Sequence, residues 1–250
     1  MRFKVILFTL GSLLFSFNLQ AKLGVGVGFA QGQSPYRSVS SNPNILPAYI
    51  NYQGDKGYFR GIEGGLHLWK KGERGKRFTV SAIGSLRMEG YKASDSYYLQ
   101  GMEKRQWSLD MGLGSALQLG YNRFSARVVT DTLGRHKGYS AGVGYARIIP
   151  MSKKFMLVPS THVTWQSNQL LDYYFGVTKN EANAFLDRPA FEAKGGVQLR
   201  ASLLASYTIN PKTSLMLVAT TRRLPNSITD SPLVDKKQVS TVFGAINFSF

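Results

Sequence analysis

The sequence predicts an all-β fold: a transmembrane, antiparallel, up-and-down β-barrel of twelve strands, with ten as the alternative count. Three observations predict it. Long stretches alternate apolar and polar residues with period two, an export-type N-terminus precedes them, and the 250-residue chain ends on an alternating aromatic strand, Asn247-Phe248-Ser249-Phe250. Period two places successive side chains on opposite faces of a strand. The stretches run to about 10–15 residues, where strands of soluble domains average about five or six. A tilted strand needs about 9–11 residues to cross a bilayer. Hydrocarbon tolerates no open sheet edge, so such strands must close into a barrel.

The N-terminus comes first. Arg2 and Lys4 precede an apolar run over 5–17, then Asn18-Leu19-Gln20-Ala21. This is the basic, apolar, small-residue order of a signal peptide, with cleavage expected between Ala21 and Lys22. The run is shorter than the ~20 residues of a spanning helix. Residues 1–21 are therefore read as signal peptide and 22–250 as the barrel.

Candidate strands follow at 22–30, 48–53, 58–69, 78–90, 107–120, 124–132, 139–149, 155–166, 191–209, 214–223 and 238–250. The clearest is 191–209. Its odd positions include Phe191, Ala193, Val197, Leu199, Leu203, Tyr207 and Ile209, and its even ones Glu192, Lys194, Gln198, Arg200, Ser202 and Thr208. The count is eleven, whereas single-chain bacterial barrels have an even number. Either 22–30 does not span, giving ten, or a long connector hides a twelfth strand. Short connectors (54–57, 120–123, 150–154, 210–213) alternate with long ones (31–47, 91–106, 168–189, 225–237), all of turn composition. Trp69, Tyr91, Trp107, Tyr121, Tyr139, Trp165 and Tyr207 stand near segment ends, where interfacial girdles lie. The terminal Phe248 and Phe250 are read as the signal that presents the last strand to the barrel-assembly machinery.

Composition narrows the function classes. There is no Cys, so disulfides, thiolate metal sites, thiol nucleophiles and a lipidated N-terminal Cys are excluded. The formal charge is +17, from 31 Lys and Arg against 14 Asp and Glu. Loss of Arg2 and Lys4 with the signal peptide lowers it to about +15. Lys70, Lys71, Arg74, Lys76, Arg77, Lys153, Lys154 and Lys212 fall at strand ends, beside anionic headgroups and lipopolysaccharide. A nucleic-acid module would instead gather its charge on one helix or groove with stacking aromatics. The expected partners are thus outer-membrane lipid and lipopolysaccharide and no nucleic acid, in the outer membrane of a Gram-negative cell.

The search for chemistry returns little. Gly138-Tyr139-Ser140-Ala141-Gly142 fits G-x-S-x-G, with His136 nearby, but strand continues after Ser140 where a nucleophile elbow needs a helix. Gly24, Gly26 and Gly28 fail G-x-G-x-x-G and read as a close-packed strand. His67 and His162 share the polar face with Glu63 and Ser160 and read as lumenal hydrogen-bonding groups. No spacing resembles a metal-ligand set. No catalytic residue, cofactor or metal is expected.

Several segments carry a family resemblance: the opening Gly24-Val25-Gly26-Val27-Gly28, Leu99-Gln100-Gly101-Met102, Leu171-Asp172-Tyr173-Tyr174-Phe175-Gly176-Val177, Ser231-Pro232-Leu233-Val234 and the terminal Phe. In order and spacing they resemble the MipA/OmpV family over nearly the whole mature chain. The resemblance implies an outer-membrane barrel without an established catalytic site. It also implies a scaffold joining an MltA-like lytic transglycosylase and a penicillin-binding protein in murein synthesis, with small-solute pore, adhesin or antigen as the alternatives. From the residues alone, Tyr173, Tyr174, Phe175, Gly176 and Val177 are expected to extend the preceding strand beyond the membrane. Ser231 and Pro232 lie in a connector where Pro blocks ladder pairing. Both motifs are read as loop packing at the rim, with partner recognition secondary.

Overall fold

The computed structural model describes residues 22–40, 44–73 and 75–250. The expected signal peptide and Ala21 lie outside them, and Lys22 opens the first strand.

Twelve strands form one closed antiparallel barrel. They are β1 (Lys22–Gly32), β2 (Asn44–Gln53), β3 (Gly57–Arg60), β4 (Glu63–Glu73), β5 (Lys76–Arg87), β6 (Ser108–Leu119) and β7 (Asn122–Asp131). β8 (Tyr139–Arg147) resumes after Ile148 as Ile149–Pro150. β9 (Phe155–Gln166), β10 (Gly196–Asn210), β11 (Thr213–Arg223) and β12 (Gln238–Ser249) complete the wall. Each strand pairs with its chain neighbour, and β1 pairs with β12 from Gly24↔Ser249 to Gly32↔Thr241, so no edge is left at the closure.

The twelfth strand does not hide in a long connector. The segment 58–69 is a hairpin, β3 and β4, reversing at Gly61-Ile62, where Gly61 takes φ +60°. Only a residue without a Cβ occupies that backbone region cheaply. The segment 191–209 is shortened instead: β10 starts at Gly196. Phe191 bridges Val177 outside the wall, and an extended bridge alternates as a strand does.

The outer face is apolar. Val25, Val27, Phe29, Leu66, Met111, Leu113, Val143, Val163, Leu199, Leu217, Ile246 and Phe248 are all exposed there, a belt that in water would be an aggregation surface and in lipid is the solvated face. Of the expected girdle aromatics, Trp69, Trp107, Tyr121, Tyr139, Trp165 and Tyr207 are exposed, whereas Tyr91 is buried in the loops. A bulge between His67 and Trp69 resets the alternation of β4: Leu68 and Trp69 both face out, and Lys70 turns into the lumen.

Apolar side chains are buried in two places. Tyr49, Ile148, Val158, Leu204, Met216, Val218 and Phe243 fill the lumen on the side of β8–β12, β1 and β2. A second core lies above the barrel: Tyr36, Tyr91, Tyr98, Leu99, Met102, Leu170, Leu171, Tyr174, Phe175, Leu224, Ile228 and Leu233, from four long loops, pack into a cap. Each such side chain contributes about 1.5–3 kcal/mol on burial. The cap is therefore a folded element rather than a set of free loops.

Candidate functional site: a capped, cation-lined lumen

The side of the barrel left unfilled is a cavity of about 570 Å3. Its wall is made by inward positions of β3 to β9, with Arg200 and Arg222 from β10 and β11. It reaches the short-turn end of the barrel, where Gly54, Asp55, Gly75, Gly120 and Tyr121 frame it.

At the long-loop end an ion cluster closes it. Glu89 accepts from Arg222 Nη1 at 2.6 Å and from Arg87 Nη1 at 3.3 Å. Arg87 also donates through Nη2 to Asp110 Oδ2 at 2.7 Å. Burial, the largest influence on Glu89, would raise its pKa, but Arg222 and Arg87 outweigh it and hold the carboxyl down to about 2. On the other side of Asp110, Ser108 Oγ donates at 2.8 Å and His136 Nε2 lies 3.0 Å from Oδ1. Gly138 N–H donates to His136 Nδ1, which fixes that nitrogen as the acceptor and Nε2 as the donor.

Asp110, Asp131 and His136 bring ligand-type atoms within 4.8 Å of one another. Their lone pairs are already used: Arg87, Ser108 and His136 satisfy Asp110, and the N–H groups of Leu133, His136 and Lys137 satisfy Asp131. A cation there would compete with Arg87, so the cluster is a hydrogen-bonded brace.

Lower in the lumen, Glu63 accepts from Tyr58 Oη at 2.9 Å and from Arg127 Nη1 at 3.0 Å. Arg60 lies over the Tyr58 ring and donates through Nη2 to Gln53 at 2.6 Å. His67 Nδ1 lies 2.9 Å from Ser81 Oγ, and no carboxylate bonds to His67 among the described residues. Ser140 is buried in β8 opposite Gln166, and strand continues past it as expected. The lumenal histidines do not form one network: His67 has Ser81, and His162 Nδ1 has no partner among the described residues.

The two motif segments meet in the cap. Tyr173, Tyr174 and Phe175 do not extend β9; they end a helix, α1 (Asn168–Phe175). Ser167 caps it, its Oγ accepting from Leu170 N–H at 3.4 Å. A period-two reading of so short a segment was open to a helical one, since Leu170, Leu171, Tyr174 and Phe175 also share a helical face. Tyr174 is fully buried and donates to Gln106 O. Tyr173 Oη accepts from Gln106 N–H, and its carbonyl accepts from Arg105 Nε. Phe175 stacks on Tyr36 at 5.4 Å between ring centroids. A Cβ on Gly176 would lie 2.4 Å from Asp172 Oδ1, so the helix can leave only through a glycine. Val177 bridges Phe191. Ser231 Oγ donates to Phe175 O at 2.6 Å, and Pro232 is buried beside it.

Residues without a motif hold the cap shut. Arg105 Nη2 reaches both oxygens of Glu181 at 2.9 Å. Burial opposes ionisation of Glu181, but Arg105 and the N–H groups of Glu103 and Thr178 hold its carboxyl below the usual range. Arg188, 1% exposed, bonds to the carbonyls of Glu181, Tyr98 and Gln100. Nothing in the sequence marks them, because the loops that carry them hold other charged and polar residues of the same kinds. At the other end, Phe248 faces outward and the Phe250 N–H donates to Leu23 O.

Residues 25–250 match the family described as MltA-interacting protein MipA. The chain belongs to the MipA family. Within it, the chain is 25% identical over 231 residues to the MltA-interacting protein of Escherichia coli K12, covering 92% of this chain and 91% of that one. It is 31% identical over 160 residues to outer membrane protein OmpV of Vibrio cholerae and 30% identical over 160 residues to Omp26La of Vibrio anguillarum, in each case 64% of this chain. The matches span 61% of the length of those two Vibrio proteins. Among solved structures, an outer-membrane channel from Pseudomonas putida F1 is similar at 11% identity and a TM-score of 0.46, covering 94% of this chain and 97% of that one. The protein is thus a MipA-family β-barrel of the outer membrane.

Proposed function

We propose that this MipA-family barrel is a non-enzymatic scaffold whose short-turn end holds murein-synthesis proteins at the outer membrane: an MltA-like lytic transglycosylase and, through it or beside it, a penicillin-binding protein. The observation that carries this reading is the cap. A lumen closed at its outer end by a packed core and an ion cluster is poorly suited to solute passage, which leaves surfaces as the working parts. In outer-membrane barrels the short turns face the periplasm. There Lys56, Lys76, Lys153, Lys154 and Lys212 are exposed, giving a cationic face for an acidic partner surface. The name of the E. coli relative supports a transglycosylase as that partner.

The test is crosslinked affinity capture from envelope extracts. Wild-type protein is expected to recover a transglycosylase or a penicillin-binding protein, and a Lys153→Glu, Lys154→Glu, Lys212→Glu variant to lose it. Recovery of neither partner by folded wild-type protein refutes the scaffold. The pore alternative is tested by planar-bilayer conductance, which should stay silent.

A further inference from the structure

Arg60 is the most exceptional group of the lumen. The residue is 5% exposed, yet its Nε and Nη1 have no hydrogen-bond partner among the described residues. Its remaining donor, Nη2, is used on neutral Gln53. Glu63, the residue opposite Arg60 in the ladder, is already committed to Tyr58 and Arg127. A buried cation with two unsatisfied donor nitrogens is costly unless something else accepts from them.

The surroundings say what kind of group that would be. Lys70, Arg77 and Arg123 surround His67 together with Arg60, and all of them line the same cavity. Among the described residues eight Lys and Arg line the cavity against five acids: Glu89 and Asp110 belong to the closing cluster at the far end, Glu63 is bonded to Tyr58 and Arg127, and Asp55 and Glu73 stand toward the mouth. The cavity volume, about 570 Å3, lies within the ~300–1,000 Å3 typical of small-molecule sites. Its frame of Gly54, Asp55, Gly75, Gly120 and Tyr121 belongs to the short-turn end, so entry is from the periplasm.

We propose that the lumen is a blind anion-binding vestibule, open to the periplasm, in which Arg60 Nε and Nη1 receive the carboxylate or phosphate oxygens of a small multi-anionic solute. Lys70, Arg77 and Arg123 supply the attracting field. This goes beyond the scaffold reading and stands on the lumen alone, so either can fail without the other.

Isothermal titration calorimetry on the detergent-purified barrel tests it, with citrate as the carboxylate probe, pyrophosphate as the phosphate probe and sucrose as the neutral control. Saturable one-site binding of citrate, pyrophosphate or both is expected, with none for sucrose, and the two anions distinguish the source of the oxygens. Arg60→Gln should weaken binding at least tenfold. Arg223→Gln removes the same charge outside the cavity and should change it less than twofold. If Arg60→Gln fails to fold by heat-modifiable gel migration, Arg123→Gln serves in its place with the same expectation. Absence of saturable binding by either anion overturns the proposal, as does equal weakening by the lumenal variant and Arg223→Gln, which marks diffuse surface charge.

Discussion

Replacing Glu89 by Gln should cost the barrel about 3 kcal/mol at neutral pH, and the loss should disappear in acid. Glu89 bridges Arg222 and Arg87 where the lumen meets the cap, and its side chain is 18% exposed, so solvent screens it little. Burial alone would raise its pKa, but the two arginines hold it down to about 2, against about 4.3 for an unfolded Glu. At 1.36 kcal/mol per pKa unit, that difference corresponds to about 3 kcal/mol of folded-state stability. Breaking a buried pair by removing one partner independently suggests about 3–5 kcal/mol. The sign follows from the depressed folded value. The contribution is complete above the unfolded pKa and fades as pH falls from there toward 2. For a chain of this size about 2–4 °C of melting temperature accompanies each kcal/mol, so the variant should melt about 6–12 °C lower at pH 7. Fluorescence of Trp69, Trp107 and Trp165 in a detergent melt reads this, and by pH 2 the gap should be largely closed. A pH 7 difference below about 2 °C, or one that persists unchanged at pH 2, would refute the reasoning.

Three further outcomes are expected. Ser231→Ala leaves the buried carbonyl of Phe175 and the N–H of Leu233 short of a partner, costing about 1–3 kcal/mol and raising the rate of limited proteolysis in the 167–195 loop. Unchanged proteolysis would mean that the two motif segments do not hold each other. Gly112→Ala puts a Cβ 2.1 Å from Val128 O, a clash with backbone that no side-chain rotation relieves. It should lower the urea midpoint by the equivalent of about 1–3 kcal/mol, whereas an unmoved midpoint would show that β6 and β7 spread freely. Deleting Phe250, which is 80% exposed, should leave the melting temperature of refolded protein nearly unchanged but reduce the assembled barrel recovered from outer membranes of cells. Equal recovery would remove the terminal Phe as an assembly signal.

The wall was legible because lipid and lumen impose the same alternation along every strand. Val197, Leu199 and Leu203 in β10 read outward from sequence and are outward. What escaped reading were the places where a local event breaks the period. Gly61 reverses the chain inside what reads as one strand, and the bulge at His67/Trp69 shifts parity so that Lys70 enters the lumen. The cap was the harder case. Its helix presents Leu170, Leu171, Tyr174 and Phe175 to partners contributed by loops more than fifty residues away, such as Tyr36, Gln106 and Ser231. Nothing local in 168–177 reveals those partners. The resemblance flagged the two motif segments, but their contact through Ser231 and Phe175 is a tertiary fact.

The charge, too, changes place. The sequence reading put most of it at strand ends beside anionic lipid and only Arg87, Arg127 and Arg200 on the polar lumenal face; Arg60, Arg123 and Arg222 line the lumen with those three. A cation can stay inside a protein only if an acid, a polar network or solvent takes up its donors. At the closed end that task falls to Glu89 and Asp110, beneath the packed cap. Halfway down, Glu63 answers Arg127. Arg60, which reaches Gln53 beside the turn at Gly54, is the one of these six whose buried donors are left without partners among the described residues. That order is what a one-ended cavity requires. Were the cap to open the upper end, solvent would reach the Glu89 cluster from both sides and screen its ion pairs. Were the lower end sealed, Arg60 would have no source of acceptors. The cap and the cationic mouth are therefore two consequences of a single arrangement, and loosening the first should weaken the ion cluster before it disturbs binding at the second.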